Sequence, residues 1–508
     1  MKLFLAIDLG TTGVKVALAE DSGRRIAYSY RTLSLETPRS DWVQQQPEAW
    51  WDACCSAASE VMDQASAAAK DIRMIGLSGQ MHGPVFVNAA GEALYPCLTW
   101  ADQRSAAQIG QLYDAMDTGT WLTTTGNLPA GAYTLPKLLW VKEHAPQVLD
   151  ETAHILLPKD YLRLRMTGIA ATDASDASGT LMYDIFQGNW CSHWAARFGY
   201  DSAWLPPVLG SDQEAGVLTE RAAQALGLTA GTPVVTGAGD LACTCTALGL
   251  LQPGAVGVNI GTAGQALSAL DDPQKAAGEL FLFSHAVPGR FFALGSLFAA
   301  GLAFRWFRDT VGELEKAREK EPNLPSAYDL LVERASAVRP GSEGVLFLPH
   351  LTGSSTPYHE RSDRGSFVGL RVHHGKGHMA RAVLEGITFA MARILQVYRD
   401  CRLPVDEIRI GGGAVRSPFW QQLQADIYRQ PVTPMDTEDA ALTGAMIAAA
   451  VGSGQFSDWS EAQQQLTLAG NPVHPRPDAM AMYERYYPVY LQLREALGDV
   501  HRRLDDLE

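Results

Sequence analysis

Residues 3–15 read L-F-L-A-I-D-L-G-T-T-G-V-K, an apolar run of strand length that delivers a carboxylate, Asp8, and then breaks into a Gly/Thr turn. This combination suits phosphate chemistry. Gly10 and Gly13 let the backbone turn so that consecutive N–H groups face an anion, and the hydroxyls of Thr11 and Thr12 add donors. Asp8, at the strand end, is placed to position a hydrated Mg2+, which takes few protein carboxylates and keeps its waters. A plain β-hairpin with a surface Asp would read the same way; a second copy favours the phosphate reading. Residues 257–264, G-V-N-I-G-T-A-G, again run from a β-type stretch into Gly-Thr-x-Gly. A chain with one such loop in each half reads as a duplication with a nucleotide between the two loops. Gly411-Gly412-Gly413, after the apolar Ile408 and Ile410, would let a backbone approach a flat ligand such as a purine.

Asp240 is the sharpest candidate for catalysis. Pro233-Val234-Val235-Thr236 is strand-like, Gly237-Ala238-Gly239 is a turn, and Asp240 opens the apolar, helix-like stretch 241–250. An Asp there is also an ordinary helix N-cap. Beside phosphate loops it is placed to accept the proton of a substrate hydroxyl that attacks a γ-phosphorus. A strand at 72–78 ends in Gly79-Gln80-Met81-His82-Gly83, polar groups at the place where open α/β sheets bind ligands. His82 beside Met81 would suit a packed core; in a Gly-flanked turn it reads as a hydrogen-bonding wall for a polar substrate. Trp100 and Asp102 follow another short strand and are candidates for the same pocket, while Arg104 reads as a solvated helix start.

The elements that position these residues follow from pattern. Residues 3–18 and 25–35 read as a β-meander turning at Asp21-Ser22-Gly23. A helix from Pro47 spaces Trp50, Trp51, Cys54, Ala58, Val61 and Met62 on one buried face. Residues 135–166 read as amphipathic scaffold helices that stop at Gly168, and 174–180, A-S-D-A-S-G-T, as a polar loop in which Asp176 is a lesser candidate. Further helices are expected at 378–393, 418–428 and 439–445, with a helical tail from 471.

With 508 residues and 46% hydrophobic content the chain is long enough for two domains with large cores. A formal net charge of −15 argues against a nucleic-acid or anionic-membrane partner. There is no run of 18 apolar residues, and Lys2 leads at once into the Asp8 strand rather than into the core of a signal peptide, so a soluble, cytoplasmic protein is expected. Seven cysteines without a C-x-x-C pair read as reduced thiols.

In order along the chain, Asp8-Leu9-Gly10-Thr11-Thr12-Gly13, Gln80-Met81-His82-Gly83, Gly239-Asp240, Ile260-Gly261-Thr262, Gly411-Gly412-Gly413-Ala414 and Leu442-Thr443-Gly444-Ala445 resemble the FGGY family of carbohydrate kinases, most of all its xylulokinase branch. The stretches around 136–140 and from 365–370 through Glu385 are similar to the family's two signature patterns. The resemblance implies an α/β fold of two actin-like, ribonuclease H-like domains, of the sugar kinase, heat-shock chaperone and actin superfamily, around a central cleft. Residues 1–248 would hold the sugar site, the first phosphate loop and the base; 249–470 the second phosphate loop and adenosine site; 471–508 a helical tail. It further implies Asp240 as general base, Asp8 near Mg2+, and Gln80, Met81, His82, Trp100 and Asp102 around the sugar. ATP would be held by Thr11, Thr12, Gly13, Lys15, Gly261, Thr262, Gly412, Gly413 and Ala414. The partners are then a small-molecule sugar and Mg-ATP, and the family's habit implies a homodimer.

The expected reaction is ATP-dependent phosphorylation of the terminal hydroxyl of a ketopentose, D-xylulose first. Departures from the family pattern point to alternatives. Leu241 stands where an Asn usually contacts the sugar, Ala263 where the second loop often has Ser, Val415 reads as an inserted residue, and Ser354-Ser355 replace a Glu-Arg pair. The same chemistry on D-ribulose, L-xylulose, a tetritol or gluconate is the first alternative; a catalytically weak sugar- and nucleotide-binding regulator is the second.

Overall fold

The computed structural model describes residues 2–66, 69–319, 324–436 and 439–507. The chain forms two compact units. The first comprises Met1–Leu251, Ala269–Phe292 and Asp439–Leu468, the second Gln252–Ser268, Ala293–Glu438 and Ala469–Glu508.

The first unit is built on the predicted meander: β1 (Leu3–Leu9), β2 (Gly13–Glu20) and β3 (Arg25–Thr32), followed by helix α1 (Pro47–Ala65), which has Pro in its first turn, and β4 (Ile72–Gly79). Every residue of β1 is buried, as expected for a central strand covered on both faces. It pairs antiparallel with β2 and parallel with β4. Helices α2 (Thr134–His144), α3 (Pro158–Thr167) and the short α4 (Ala174–Ser178) come next, then strands β5 (Glu214–Val217), β6 (Pro233–Val235) and β7 (Ala238–Gly239), and α5 (Asp240–Ala247). The sheet runs β5-β6-β4-β1-β2-β3, with β7 also paired to β4. Trp50, Trp51, Cys54, Ala58, Val61 and Met62 of α1 are buried on β2 and β3, as their spacing predicted.

The second unit repeats the plan. β8 (Gly254–Ile260) and β9 (Gly264–Leu270) form the second Gly-Thr hairpin, followed by β10 (Phe291–Leu297), α6 (Gly301–Val311), the long α7 (Lys376–Asp400), β11 (Val405–Gly412), α8 (Pro418–Tyr428) and β12 (Val432–Asp436). β8 is antiparallel to β9 and parallel to β11, and the order β10-β9-β8-β11-β12 mirrors β3-β2-β1-β4-β6. The two-fold repeat read from one motif thus extends to a whole sheet.

The chain then returns to the first unit through α9 (Ala440–Gly452) before ending in α10 (Pro477–Asp505) of the second. α9 is apolar on all sides, A-A-L-T-G-A-M-I-A-A-A-V-G, because it packs against β1 and β4 and also against α5. Small residues set these crossings. A Cβ on Gly76 would lie 2.0 Å from the Ala445 carbonyl oxygen, and one on Gly444 2.2 Å from that of Cys243.

Three sequence expectations change. Arg104 is buried rather than solvated, and α2 and α3 carry charge inward: Lys137, Lys159, Asp160 and Arg163 are all 0% exposed. The polar stretch 174–180 is mostly helical and buried, because its side chains bond Asp173, its own carbonyls and a buried lysine. The cysteines are free thiols, as read. No helix among the described residues is long and apolar enough to cross a membrane.

Candidate functional site

Register brings the first-unit candidates together. Asp8 is level with Ser78 of β4, which is level with Ala238 of β7; Leu9, Gly79 and Gly239 form the next row. The three chains therefore leave the sheet side by side, as Gly10 to Gly13, as Gln80 to His82, and as Asp240 at the start of α5. This is the carboxyl edge of the parallel strands, where open α/β sheets bind ligands.

Asp8 is 3% exposed and accepts a hydrogen bond from Ser78 Oγ at 3.0 Å. Burial raises its carboxyl above the ordinary value, against the pull of Lys15. Lys15, opposite it on β2, places Nζ 3.6 Å from Asp8 and 3.0 Å from Asp439, at the entrance to α9. Burial opposes the Lys15 charge, but the two carboxylates outweigh it and hold the ammonium above its usual range. Asp439 is a neighbour of this group that motif reading passed over: an Asp before an alanine-rich helix reads as a cap.

The loop between β1 and β2 is closed by the Gly10 N–H donating to the Gly13 carbonyl at 3.0 Å. Gly13 is required by space, since a Cβ there would lie 2.4 Å from the Tyr30 ring. The Thr11 hydroxyl accepts from Trp100 Nε1 at 2.9 Å, which leaves its own proton free to donate. Gln45 Nε2 donates to the Thr11 carbonyl at 2.9 Å and Tyr30 to the Thr12 carbonyl at 2.9 Å. Gln45 also accepts from Gln80 Nε2 at 2.8 Å, while Gln80 Oε1 is buried without a partner among the described residues.

His82 has a left-handed backbone, φ 74°, a conformation costly for a residue with a branched ring and held here by its neighbours. Its Nδ1 lies 2.8 Å from the Gly179 carbonyl oxygen. A carbonyl only accepts, so Nδ1 carries the proton and Nε2 presents a lone pair. Burial lowers the imidazole to about 4, which keeps it neutral. Tyr133 stacks edge-on at 5.1 Å, and Lys137 holds the loop that carries Tyr133 by donating to the Gly131, Ala132 and Tyr133 carbonyls. Met81 is buried beside it.

Trp100 is 43% exposed and reaches the loop between β1 and β2 through Thr11. Asp102 is not turned to a ligand. It is 0% exposed, and both its oxygens accept from Arg104, whose guanidinium stacks over Trp42 at 3.9 Å; Val43 N–H adds a further bond at 2.7 Å. Asp102 thus anchors the segment that carries Trp100.

Asp240 is the first residue of α5. Burial, then the negative charge of Asp8, pushes its carboxyl up to about 7, partly offset by the Leu241 N–H. The next side chain, Leu241, is half-buried and apolar. Among the described residues no three His, Cys, Asp or Glu side chains group to hold a metal ion.

The second unit places its candidates in matching positions. Ile260 of β8 is level with Gly412 of β11, as Leu9 is with Gly79. The Gly261 and Thr262 carbonyls accept from Gly301 and Leu302 at 2.9 and 3.0 Å, so the first turn of α6 abuts the loop. Gly412 has φ 76°, and a Cβ would lie 2.5 Å from the Ile260 carbonyl oxygen, so only glycine fits. Gly413 is open on its Cβ side to 3.9 Å, and Ala414 is 2% exposed. Val415 lies in the same short turn, its carbonyl accepting from Gln421 at 2.6 Å; Ser355 pairs with Ser296 at 2.7 Å.

Comparison with known proteins agrees with this geometry. The model described as "FGGY family of carbohydrate kinases, N-terminal domain" matches residues 3–249, and its C-terminal counterpart matches 257–453. The chain is 32% identical over 505 residues to the xylulose kinase of Bacillus subtilis, with 99% of each covered. It is 26% identical over 512 residues to a gluconokinase of the same organism, covering 99% of this chain and 98% of the other. The solved xylulose kinase of Rhodospirillum rubrum superposes with TM-score 0.86 at 26% identity, covering 99% of this chain and 100% of that one.

Proposed function

We propose, for a chain that belongs to the FGGY family of carbohydrate kinases and is therefore a phosphotransferase acting on a sugar hydroxyl, that the acceptor is the terminal hydroxyl of D-xylulose and the product D-xylulose 5-phosphate. ATP is the phosphate donor. The observation that carries the mechanism is Asp240: a carboxyl held near 7, at the carboxyl edge of the sheet, is matched to taking a proton at neutral pH. As the hydroxyl oxygen closes on the γ-phosphorus, Asp240 takes its proton and the phosphoryl group leaves ADP. Positioning and charge stabilisation supply most of the remaining rate.

The other roles follow from chemistry. His82 Nε2 accepts from a sugar hydroxyl, and the unpartnered Gln80 Oε1 offers a second acceptor beside Met81. Thr11, Thr12, Gly13, Lys15, Gly261 and Thr262 bind phosphates, and Gly412, Gly413 and Ala414 the adenosine. Mg2+ fits the first unit, where Asp8 and Asp240 leave negative charge that Lys15 only partly offsets. Asp8 would hold the ion through water, and the ion would neutralise charge on the β- and γ-phosphates.

ADP formation with Mg-ATP, measured across D-xylulose, D-ribulose, L-xylulose, a tetritol, gluconate and glycerol with a no-sugar control, tests this reading. D-xylulose should exceed the others in kcat/KM by about tenfold or more, and Asp240→Asn should lower kcat by roughly a thousandfold. Turnover that ignores sugar, or an unimpaired Asp240→Asn, would sink it. A second substrate reading rests on Leu241. An apolar side chain beside the base removes an amide from a pocket that selects among hydroxyls, so preference for gluconate or another polyol would reassign the pocket without changing the reaction.

A further inference from the structure

Behind the base lies a group of buried charges that the phosphotransfer step does not use directly. Lys159 Nζ, on α3, sits 2.6 Å from Asp160, 2.9 Å from Asp173 and 3.0 Å from Asp176, all with fully buried side chains. Burying charges is costly, and an apolar replacement commonly serves stability as well. What this group does locally is hold a serine. Asp173 Oδ2 accepts from the Ser175 N–H at 2.9 Å and from the Ser175 hydroxyl at 2.5 Å. With its proton committed to a carboxylate, the Ser175 oxygen turns its lone pairs outward, and one accepts the Gly239 N–H at 2.9 Å.

Gly239 is the residue before Asp240, and its surroundings leave no room for a side chain. A Cβ added to it would lie 2.8 Å from the Met81 side chain and 3.3 Å from Asp176 Oδ1. The same group backs the sugar wall, since a Cβ on Gly79 would lie 2.9 Å from Lys159 Cβ. Burial also holds Asp176 well above the ordinary carboxyl range, against the pull of the Lys159 charge.

We propose that Ser175 is a positioning residue for phosphoryl transfer: through its hydroxyl, the buried Lys159–Asp173 pair fixes the Gly239 peptide and with it the direction of the Asp240 carboxylate. This rests on the reading of Asp240 as the base. A base displaced by a fraction of an ångström loses much of its rate advantage while substrates bind as before. The loss therefore falls in kcat rather than in KM, which separates positioning from a merely structural role.

The experiment compares steady-state kinetics of Ser175→Ala, Ser175→Thr and Asp240→Asn in the full chain, with D-xylulose and Mg-ATP, alongside their melting temperatures. Ser175→Ala should lose about 10–100-fold in kcat with both KM values within about twofold, and Ser175→Thr, which keeps the hydroxyl, should recover most of it. Where Ser175→Ala does not accumulate folded, Ser175→Cys takes its place, near-isosteric but a poor acceptor for the Gly239 N–H. A wild-type kcat in Ser175→Ala or Ser175→Cys, with Asp240→Asn inactive, would overturn the proposal and leave the base in place. A loss confined to KM would do the same. Full activity in Asp240→Asn would overturn the base and the positioning role together.

Discussion

His82 Nδ1 is spent on the Gly179 carbonyl, and burial holds the ring neutral down to about pH 4, so Nε2 is an acceptor throughout the physiological range. Two results are expected. His82→Leu should raise the sugar KM by roughly 10–100-fold with little change in the ATP KM, because a hydroxyl would lose its partner in a buried wall. The ratio of the His82→Leu to the wild-type sugar KM should also be flat between about pH 5.5 and 7.5, since Asp240 titrates in both proteins whereas an exposed histidine would titrate in the wild type alone. A ratio that falls towards 1 as pH drops through about 6.5 would contradict the neutral ring. At this scale the placement of polar residues where a strand ends was legible: Asp8, Thr11, His82 and Asp240 stand together at the carboxyl edge of the sheet, as their pattern led one to expect. The sequence was misleading where a charge sits on a helix. The amphipathic reading of 135–166 implies charges on a solvated face, and only three-dimensional pairing of Lys159 and Arg163 with buried carboxylates reveals otherwise. Asp102 erred in the opposite direction: the partner that claims it stands two residues on, and a motif does not say which way a carboxylate turns.

The strand, turn and strand that open each unit were legible as elements because Gly/Thr turns interrupt apolar runs at fixed places. The position of α9 was not. Its composition announces a buried helix but not which sheet buries it, since nothing local distinguishes an apolar helix that packs on nearby strands from one that packs on strands more than 350 residues back. The structure makes a sharp expectation there. Gly444 meets the backbone of Cys243 where α9 crosses α5, the helix that begins with Asp240. Gly444→Val should force the two helices apart, destabilise the protein by about 2–4 kcal/mol and reduce kcat as the start of α5 shifts. Gly227→Ala, at a helix end where a Cβ meets nothing, should cost no more than about 1–2 kcal/mol from its left-handed backbone and leave kcat unchanged. Urea unfolding and steady-state turnover of the two variants test the contrast; equal effects would show that the crossing is slack.

For the molecule as a whole, His285 is one group through which acid lowers stability. His285 is 2% exposed; its Nε2–H donates to the Leu250 carbonyl and its Nδ1 accepts the Val287 N–H, so a second proton has no place to bond. Burial lowers it to about 4, from an ordinary value of 6.5. The unfolded chain therefore takes up this proton first. Stability from the neutral ring is complete above 6.5, falls as pH drops from 6.5 to 4, and amounts to about 3 kcal/mol at most. Between pH 6.5 and about 4 the urea midpoint of the wild type should fall relative to that of His285→Gln; an unchanged difference between the two would show that His285 does not set this sensitivity. The return of α9 has a different consequence, one of time. Translation delivers β1 to β7 and α5 long before it delivers the helix that covers β1 and β4, because residues 252–438 must be made first. At roughly 5–20 residues per second the nascent sheet waits about 10–40 s with an apolar face uncovered on the ribosome, an interval in which a chaperone has reason to bind it.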